Sequence, residues 1–359
     1  MSVVSTQGVN VKCRAMYSRL LGRADYDALI KMKSVSQIAA YLKKQTPYAY
    51  VLRRIDEHNV HRGQLEQVFK RSLYYDYGRL LKFTTGGYKA AVRAMFESYE
   101  VEDLKLVIGS ICSDRRHSVT LNDLTYISAY SEFPASSVLG AATIAELAAN
   151  LRHTRYYKAL MPFAAVASPD FIKIDHALNL LNYRAKMNVF KKTLSGASKR
   201  VAVSLYGTQA DLENILYIYR IKKLYRLPAS EILIYLIPCE YRIRNRELLG
   251  LAECDDVGSF IGLVRRTFYG FLFPAGRESE WESIHTEYFY QLHRRNLRVH
   301  GGDVGVAFSY LFMKETDIKN IIMIIEGVRY ALPAERITSF LTGYGPEPRP
   351  AEQRRGVGA

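Results

Sequence analysis

The stretch ETDIKNIIMIIEGVRYALPAERI, residues 315–337, has a helical pattern of apolar residues that indicates the fold class. Apolar residues follow Asp317 at the first, fourth, fifth and eighth positions, which is the spacing of one face of an α-helix. These residues are Ile318, Ile321, Ile322 and Ile325. Because aspartate is a favoured N-cap, Asp317 is predicted to begin this helix, and Pro333 is predicted to begin the segment that follows it. The stretch is therefore predicted to be a packing helix of the core.

The same spacing occurs twice more in the chain, after Asp103 and after Asp211. The matching residues are Leu104, Val107, Ile108 and Ile111 in the first copy, and Leu212, Ile215, Leu216 and Tyr219 in the second. The nearly equal intervals between the three aspartates indicate an internal repeat. A glycine lies ahead of each aspartate, at Gly86, Gly196 and Gly301, with an apolar segment of helical length between them. Each repeat is therefore predicted to be an αα-hairpin, with its aspartate as a helix cap rather than a catalytic carboxylate.

A second pattern has nearly the same period. The segment Ser34–Tyr48 aligns without a gap with Thr143–Tyr157, and a weaker third version begins at Asp256. Ser34 and Thr143 are predicted N-caps, and the glutamine or glutamate three positions after each would complete a capping box. The second pattern supports the same repeat from different residues.

The two patterns predict an all-α chain of three similar units of about 110 residues. Aromatic, amphipathic stretches that begin at Leu65, Ile174 and Ile284 are predicted to add one more helix to each unit. The predicted boundaries are residues 1–133 for unit 1, 134–250 for unit 2, 251–344 for unit 3 and 345–359 for a disordered tail rich in Pro, Gly and charge.

Composition and charge limit the possible classes of protein. The chain has 359 residues, of which 48% are hydrophobic, and this is enough to build substantial cores. Its net charge of +15 favours acidic partners, such as nucleic acid, anionic lipid or an acidic protein surface. No apolar run reaches the roughly 18–20 residues that a membrane-spanning helix needs, and no secretory signal begins the chain, so a cytoplasmic location is expected. Cys13, Cys112, Cys239 and Cys254 form no CxxC pair and are interpreted as buried free thiols.

No motif in the sequence indicates catalysis or a bound cofactor. The chain has neither a GxxxxGK[ST] phosphate loop nor a GxSxG nucleophile elbow. His58 and His61 have a spacing that two metal ligands could use, but no third ligand accompanies them. We therefore predict a non-catalytic protein without cofactor or metal, and a hydrolase with a dispersed site is the enzymatic alternative.

Arginines mixed with aromatic residues suggest a binding surface, as in YRIRNREL and LHRRNLRV. Such segments are typical of nucleic-acid surfaces and equally of solvated helix faces, and no RRM or KH signature accompanies them. The residues predicted to bind a partner are Arg242, Arg244, Arg246, Arg294, Arg295 and Arg298.

Three segments together resemble one known family. Residues 11–42 are similar to its basic opening and the aromatic helix that follows. Tyr99–Ile108 with its echo Ala210–Arg220 is the second segment, and Lys314–Ile337 resembles the family's closing signature. In this order the segments are similar to the C subunit of the archaeal and bacterial A/V-type ATPases, the counterpart of the d subunit in the eukaryotic vacuolar proton pump. The resemblance covers roughly residues 9–345.

The resemblance implies an all-helical, funnel-shaped protein of three similar units around a pseudo-threefold axis. It also implies a peripheral subunit that joins the central-stalk shaft to the membrane proteolipid ring, coupling ion transport to ATP synthesis or hydrolysis. Membrane contact would occur only through the ring, and nucleic acid would not bind. Val328, Arg329, Ala331 and the tail after Gly345 depart from the family pattern, which affects local loops. A basic helical-repeat scaffold that binds RNA or another protein is the alternative.

Overall fold

The described part of the chain is built from helices. The computed structural model describes residues 3–57, 60–113, 119–127, 130–166, 168–225, 227–299 and 303–345. Within these ranges the chain forms seventeen α-helices and two short 3₁₀ helices, and no β-strand. The predicted all-α class is confirmed. Gly301 and the predicted tail beyond Gly345 lie outside the described residues.

The helices follow one another along the chain with these bounds. The first seven are α1 (Val3–Tyr17), α2 (Arg23–Ile30), α3 (Val35–Gln45), α4 (Ala49–Leu52), α5 (Arg62–Phe83), α6 (Gly86–Cys112) and α7 (Ser136–Leu139). The next seven are α8 (Ile144–Asn150), α9 (Tyr156–Ala164), α10 (Phe171–Thr193), α11 (Gly196–Leu224), α12 (Ala229–Ile234), α13 (Asn245–Glu253) and α14 (Val257–Val264). The last three are α15 (Trp281–Val299), α16 (Gly305–Arg329) and α17 (Ala334–Ser339), and the 3₁₀ helices are Gly270–Leu272 and Glu278–Glu280.

Three helical hairpins form the frame of the molecule: α5 with α6, α10 with α11, and α15 with α16. The first helix of each hairpin contains one of the aromatic stretches, and these helices are confirmed. The second helices are long, with 27, 29 and 25 residues. Gly86 and Gly196 lie at two of the hairpin turns with φ of +54° and +53°, a conformation that glycine adopts without steric cost. These two glycines therefore lie at the hairpin turns. The prediction places each turn at the aspartate, whereas in the structure the turn comes one helix earlier in the chain, just before the long helix.

The prediction that Asp103, Asp211 and Asp317 begin helices is wrong. Each lies inside a long helix, in α6, α11 and α16 respectively. The apolar spacing reveals only the second half of each helix. In α16 every residue from Gly305 to Leu311 is buried, so the first half has no polar face that could define a period.

The short helices begin as the second pattern predicts. Ser34 accepts a hydrogen bond from the N–H of Gln37 at 3.2 Å, and Thr143 accepts one from the N–H of Glu146 at 3.1 Å. Asp256 caps α14 in the same way, accepting from the N–H three positions later at 2.8 Å. The side chains of Gln37 and Glu146 accept in return from the N–H just before each cap, at 2.8 Å in both helices. These caps are confirmed.

Buried side chains form three clusters, each of which includes the second half of a long helix. The end of α6 packs with α8, α9 and the first half of α10. The end of α11 packs with α12, α13, α14 and Trp281. The end of α16 packs with α1, α2, α3 and α5, which come from the opposite end of the sequence. The two ends of the chain therefore share one core.

The starts of the long helices are in contact with their neighbours. Thr193, at the end of α10, donates a hydrogen bond from its hydroxyl to the carbonyl of Gly87 at 3.4 Å. The N–H of Val304 donates to the Ser198 hydroxyl at 3.2 Å, which ties the start of α16 to the first turn of α11. The three hairpins are thus joined at the starts of their second helices.

Gly87→Ala is expected to lower the free energy of unfolding by about 1–3 kcal/mol. An added Cβ would lie 2.0 Å from the carbonyl oxygen of Thr193, and a backbone atom has little freedom to move away. Urea unfolding followed by circular dichroism measures the effect. Gly262→Ala in α14 is the matched control, since no heavy atom lies within 4 Å of its added Cβ. The control is expected to be neutral or to stabilise by up to about 1 kcal/mol, and equal effects of the two changes would contradict the close contact.

Candidate functional site

Asp317, in the middle of α16, holds the N-terminal helices. Its carboxylate accepts hydrogen bonds from the hydroxyl of Tyr26 at 2.5 Å, the hydroxyl of Tyr48 at 2.7 Å and the N–H of Leu21 at 3.3 Å. Burial raises the pKa of Asp317, and the nearby Lys314 ammonium opposes this shift. The aspartate is 3% exposed, so it anchors structure and is not open to a substrate.

Asp103 and Asp211 hold surface segments in a similar way. Asp103 accepts hydrogen bonds from the backbone N–H groups of residues 125–127 at 3.2, 2.6 and 2.8 Å. Asp211 accepts from the N–H groups of residues 242–243 at 2.7 and 3.2 Å and from the Tyr269 hydroxyl at 3.2 Å. Burial raises the pKa of Asp211 to about 6. All three repeated aspartates therefore act as internal acceptors for segments outside their own helix.

A Thr-x-Tyr motif, which the helical patterns do not reveal, accompanies these carboxylates. The tripeptide occurs five times in the sequence, and two occurrences, Thr286-Glu287-Tyr288 and Thr342-Gly343-Tyr344, fall outside the period. The other three form the motif and are spaced at nearly the same interval as the aspartates: Thr46-Pro47-Tyr48, Thr154-Arg155-Tyr156 and Thr267-Phe268-Tyr269. Each threonine hydroxyl donates to a carbonyl three or four positions earlier, at 2.6, 2.8 and 2.7 Å. Each tyrosine hydroxyl donates to a buried carboxylate of a long helix, which is Asp317, Glu100 and Asp211 in turn. The period of the motif is the signal by which sequence alone could find it.

The three long helices line one polar cavity, which we name the three-helix cavity. Its volume is about 770 Å³, and its charged residues include Glu102 of α6, Glu213 of α11, and Glu315 and Lys319 of α16. The Tyr99 hydroxyl donates to Glu315 at 2.5 Å. Lys186 of α10 lies 4.7 Å from the centre of the Tyr206 ring, and burial lowers the pKa of its ammonium to about 8. Ile322 also lines this cavity and is only half-buried, unlike the other isoleucines of its predicted face.

Two of the six predicted arginines, Arg242 and Arg295, meet in a groove between α11 and α15, which we name the α11–α15 groove. Its volume is about 650 Å³, and Lys199 and Arg200 also line it, while no acidic residue is among its described lining residues. The Arg242 guanidinium lies 5.2 Å from the ring centre of Tyr241 and 4.9 Å from that of Phe268. The groove therefore combines a cationic rim with aromatic walls.

The close fit of Tyr241 against α11 forms one wall of the α11–α15 groove. A Cβ added at Gly207 would lie 2.5 Å from the Tyr241 ring, so only glycine permits this approach without a shift. The Tyr241 hydroxyl donates to the Ser204 hydroxyl at 2.9 Å. Since Asp211 binds the N–H of Arg242, the buried aspartate also fixes the turn that presents this arginine.

The other four predicted arginines do not line the α11–α15 groove. Arg244, Arg246 and Arg298 are exposed, and Arg294 is half-buried. Arg246 lines a smaller groove with apolar residues of α12, of the segment that follows it and of α13. The six arginines come from two segments, residues 242–246 and 294–298, and the structure brings together one arginine from each segment.

The described residues contain no group of three His, Cys, Asp or Glu side chains placed to hold a metal ion. His58 of the predicted histidine pair lies outside the described residues. Cys13 is a buried free thiol whose pKa is raised to about 12 by burial, while Cys112, Cys239 and Cys254 are half-buried free thiols. Among the described helices, none is both long and apolar enough to cross a membrane.

The fold defines an all-α protein of three tied hairpins, and comparison with known proteins gives its family. The pattern of the ATP synthase (C/AC39) subunit family matches residues 9–340, so the chain belongs to that family. The chain is 20% identical over 336 residues to the C subunit of the A-type ATP synthase of Methanosarcina barkeri, covering 92% of this chain and 91% of that protein.

Two further relatives have the same name. The A-type ATP synthase C subunit of Methanosarcina mazei is 21% identical over 338 residues, covering 92% of this chain and 91% of the relative. That of Methanothermobacter thermautotrophicus is 21% identical over 338 residues, covering 89% and 83% respectively. The resemblance seen in the sequence is confirmed.

Proposed function

We propose that the chain is the non-catalytic coupling subunit of a rotary A-type ATP synthase. It would join the central-stalk shaft to the membrane proteolipid ring on the cytoplasmic side, so that rotation links ion transport to ATP synthesis or hydrolysis. The observation that carries this proposal is the family match from residue 9 to residue 340, together with the shared name of the relatives. Membrane contact would occur through the ring alone, and no cofactor or nucleic acid is required.

The packing of the chain suits a part that transmits torque. Closely packed cores resist deformation, and here the hairpins are tied to one another by hydrogen bonds and close contacts at the starts of their long helices. Asp317 adds a buried connection between α16 and the N-terminal helices. A rotation applied to one hairpin would therefore pass to the others.

We also infer that the three hairpins are copies of one unit around an approximate threefold axis, which gives the protein a funnel shape. Support comes from the three repeated aspartates and from the three evenly spaced Thr-x-Tyr sequences, whose tyrosine hydroxyl donates in each copy to a carboxylate of a long helix. In the copy that contains Asp317, the tyrosine partner is Tyr48, near the other end of the chain. We propose that the predicted third unit, residues 251–344, is completed by residues that precede α5.

The proposed coupling role is tested by removing the chain from the rotary complex in its own cells. Membrane vesicles without it are expected to retain ATP hydrolysis by the catalytic head but to lose ion transport driven by ATP. A tagged full-length chain is expected to copurify with the shaft and the ring subunits. Unchanged ion transport in the deletion would refute the coupling role. Copurification with RNA in place of these subunits would favour the RNA-binding scaffold.

Arg242→Glu combined with Arg295→Glu is expected to weaken binding to the rotary complex by at least about tenfold. The two changes reverse half of the cationic side chains that line the α11–α15 groove. Binding of the tagged chain to complexes that lack it measures the effect. Arg265→Glu with Arg266→Glu is the matched control, because both arginines are exposed and neither lines this groove. Equal weakening by both pairs would mean that overall charge, and not this groove, determines binding.

A further inference from the structure

A second basic groove lies between α4 and α5, on a part of the chain where the sequence predicts no binding residue. We name it the α4–α5 groove. Its volume is about 760 Å³, which is within the range of pockets that hold small molecules. Five cationic side chains line it: Arg53, Arg54, Arg71, Arg79 and Lys82.

The described lining of the α4–α5 groove contains no aspartate or glutamate. Arg79 forms an ion pair with Asp76 of its own helix, at 3.4 Å. Asp76 is buried, accepts a hydrogen bond from the Tyr310 hydroxyl at 2.6 Å and also attracts the Lys314 ammonium. Its negative charge is therefore shared with the core, and the groove keeps a cationic lining.

Tyrosines complete the α4–α5 groove and help to position its cations. Tyr50, Tyr74, Tyr75 and Tyr130 are among its lining residues. The Arg79 guanidinium lies 5.4 Å from the centre of the Tyr50 ring. Arg71 donates to the carbonyl of Asn122 at 3.4 Å. Arg53 and Arg54 are exposed on the turn that follows α4. The groove thus presents guanidinium groups from two directions.

The chemistry of the α4–α5 groove differs from that of the α11–α15 groove. The α11–α15 groove is lined by four cations, four aliphatic side chains and three aromatic rings, a mixture that suits the side chains of a protein partner. The α4–α5 groove has four arginines, a lysine and four tyrosines, so it presents more guanidinium and phenol groups than the α11–α15 groove does. Arginine binds phosphate through two parallel hydrogen bonds, and phenol hydroxyls can donate to the same oxygens.

We propose that the α4–α5 groove binds a small anion that bears phosphate groups and more than one negative charge. The clustering of the cations in one pocket, rather than along a stripe, favours a compact ligand over an extended nucleic acid. The phosphate belongs either to a soluble polyphosphate or to the headgroup of an anionic lipid. This site goes beyond the coupling role and does not depend on it.

Binding is tested with the full-length chain and two probes. Inorganic tripolyphosphate, titrated by calorimetry, represents the soluble source, and phosphatidylcholine vesicles with and without phosphatidic acid represent the lipid source. We expect binding to at least one of them, with an affinity that falls as the salt concentration rises. Binding of tripolyphosphate alone assigns a soluble ligand, and binding of phosphatidic acid vesicles alone assigns a lipid headgroup.

Arg53→Gln with Arg54→Gln is expected to weaken this binding by about tenfold. Lys82→Gln is a second, independent change in the same groove and is expected to weaken binding by a smaller factor. Arg265→Gln with Arg266→Gln removes the same charge from another exposed turn, after α14, and is expected to leave binding unchanged. Thermal melting followed by circular dichroism confirms that each variant is folded.

Three results would overturn the proposal. The first is that neither probe binds the wild-type chain. The second is an equal loss in the control variant, which would show that net charge alone attracts the probe. The third is binding of a single-stranded RNA oligonucleotide that neither probe displaces. None of these results bears on the coupling role, because that role is measured by ion transport.

Discussion

Replacing Asp317 with alanine is expected to lower the free energy of unfolding by about 3–5 kcal/mol. The change removes the acceptor of three buried donors, the hydroxyls of Tyr26 and Tyr48 and the N–H of Leu21. It also removes one of the two carboxylates that attract Lys314, a cation that is only 4% exposed. Unpaired buried donors and a poorly compensated buried charge are both costly. Urea unfolding of the full-length chain, followed by circular dichroism, measures the loss.

Two variants separate the anchoring role of Asp317 from the general cost of losing an aspartate. Asp317→Asn keeps one acceptor oxygen, so it is expected to lose less stability than Asp317→Ala. Asp255→Ala removes an exposed aspartate and is expected to change stability by less than about 0.5 kcal/mol. If Asp317→Ala behaves like Asp255→Ala, the buried network does not hold the N-terminal helices.

Ile321→Asp is expected to lower the free energy of unfolding by more than about 4 kcal/mol, and the variant is expected to be unfolded or nearly so. Ile321 has no exposed surface, so a carboxylate there would lose its hydration without gaining a partner. Ile322, which has the same predicted role in the sequence, lines the three-helix cavity and is half-buried. We expect Ile322→Asp to cost clearly less, because the carboxylate can reach water in the cavity.

The order of stabilities is the informative result for this helix face. Met323 is 37% exposed on the same turn of α16, and Met323→Asp is expected to be the mildest of the three changes. Thermal melting and urea unfolding of the three variants measure the order. Equal losses at Ile321 and Ile322 would contradict the description of the three-helix cavity as open to water.

The sequence predicts the class of the fold well because helix starts and apolar faces are local signals. Ser34 and Thr143 cap the predicted helices, and the residues that satisfy them lie three positions away. The role of Asp317 is not local, since its hydroxyl partners are 291 and 269 residues away in the sequence. A cap and a buried anchor look the same in the sequence when only the neighbouring residues are considered.

The two basic grooves also show that sequence patterns reveal local features more readily than contacts between distant residues. Arg242 and Arg295 stand out in the sequence because each belongs to a dense cluster of arginines, and the fold brings them into one groove. Arg53, Arg71 and Lys82 belong to no comparable pattern, since one comes from a turn and the others from separate turns of α5. Only the packing of α4 against α5 places them together, so the second groove could not be predicted from spacing.

The core that α16 shares with the first helices has a consequence for synthesis on the ribosome. Tyr48 emerges long before Asp317, and the 269 residues between them take on the order of tens of seconds to translate at roughly 5–20 residues per second. During that interval the apolar faces of α2, α3 and α5 lack the helix that covers them. The core around the N-terminal helices therefore cannot be completed until α16 has left the ribosome. The nascent chain is expected to need chaperone protection in the meantime.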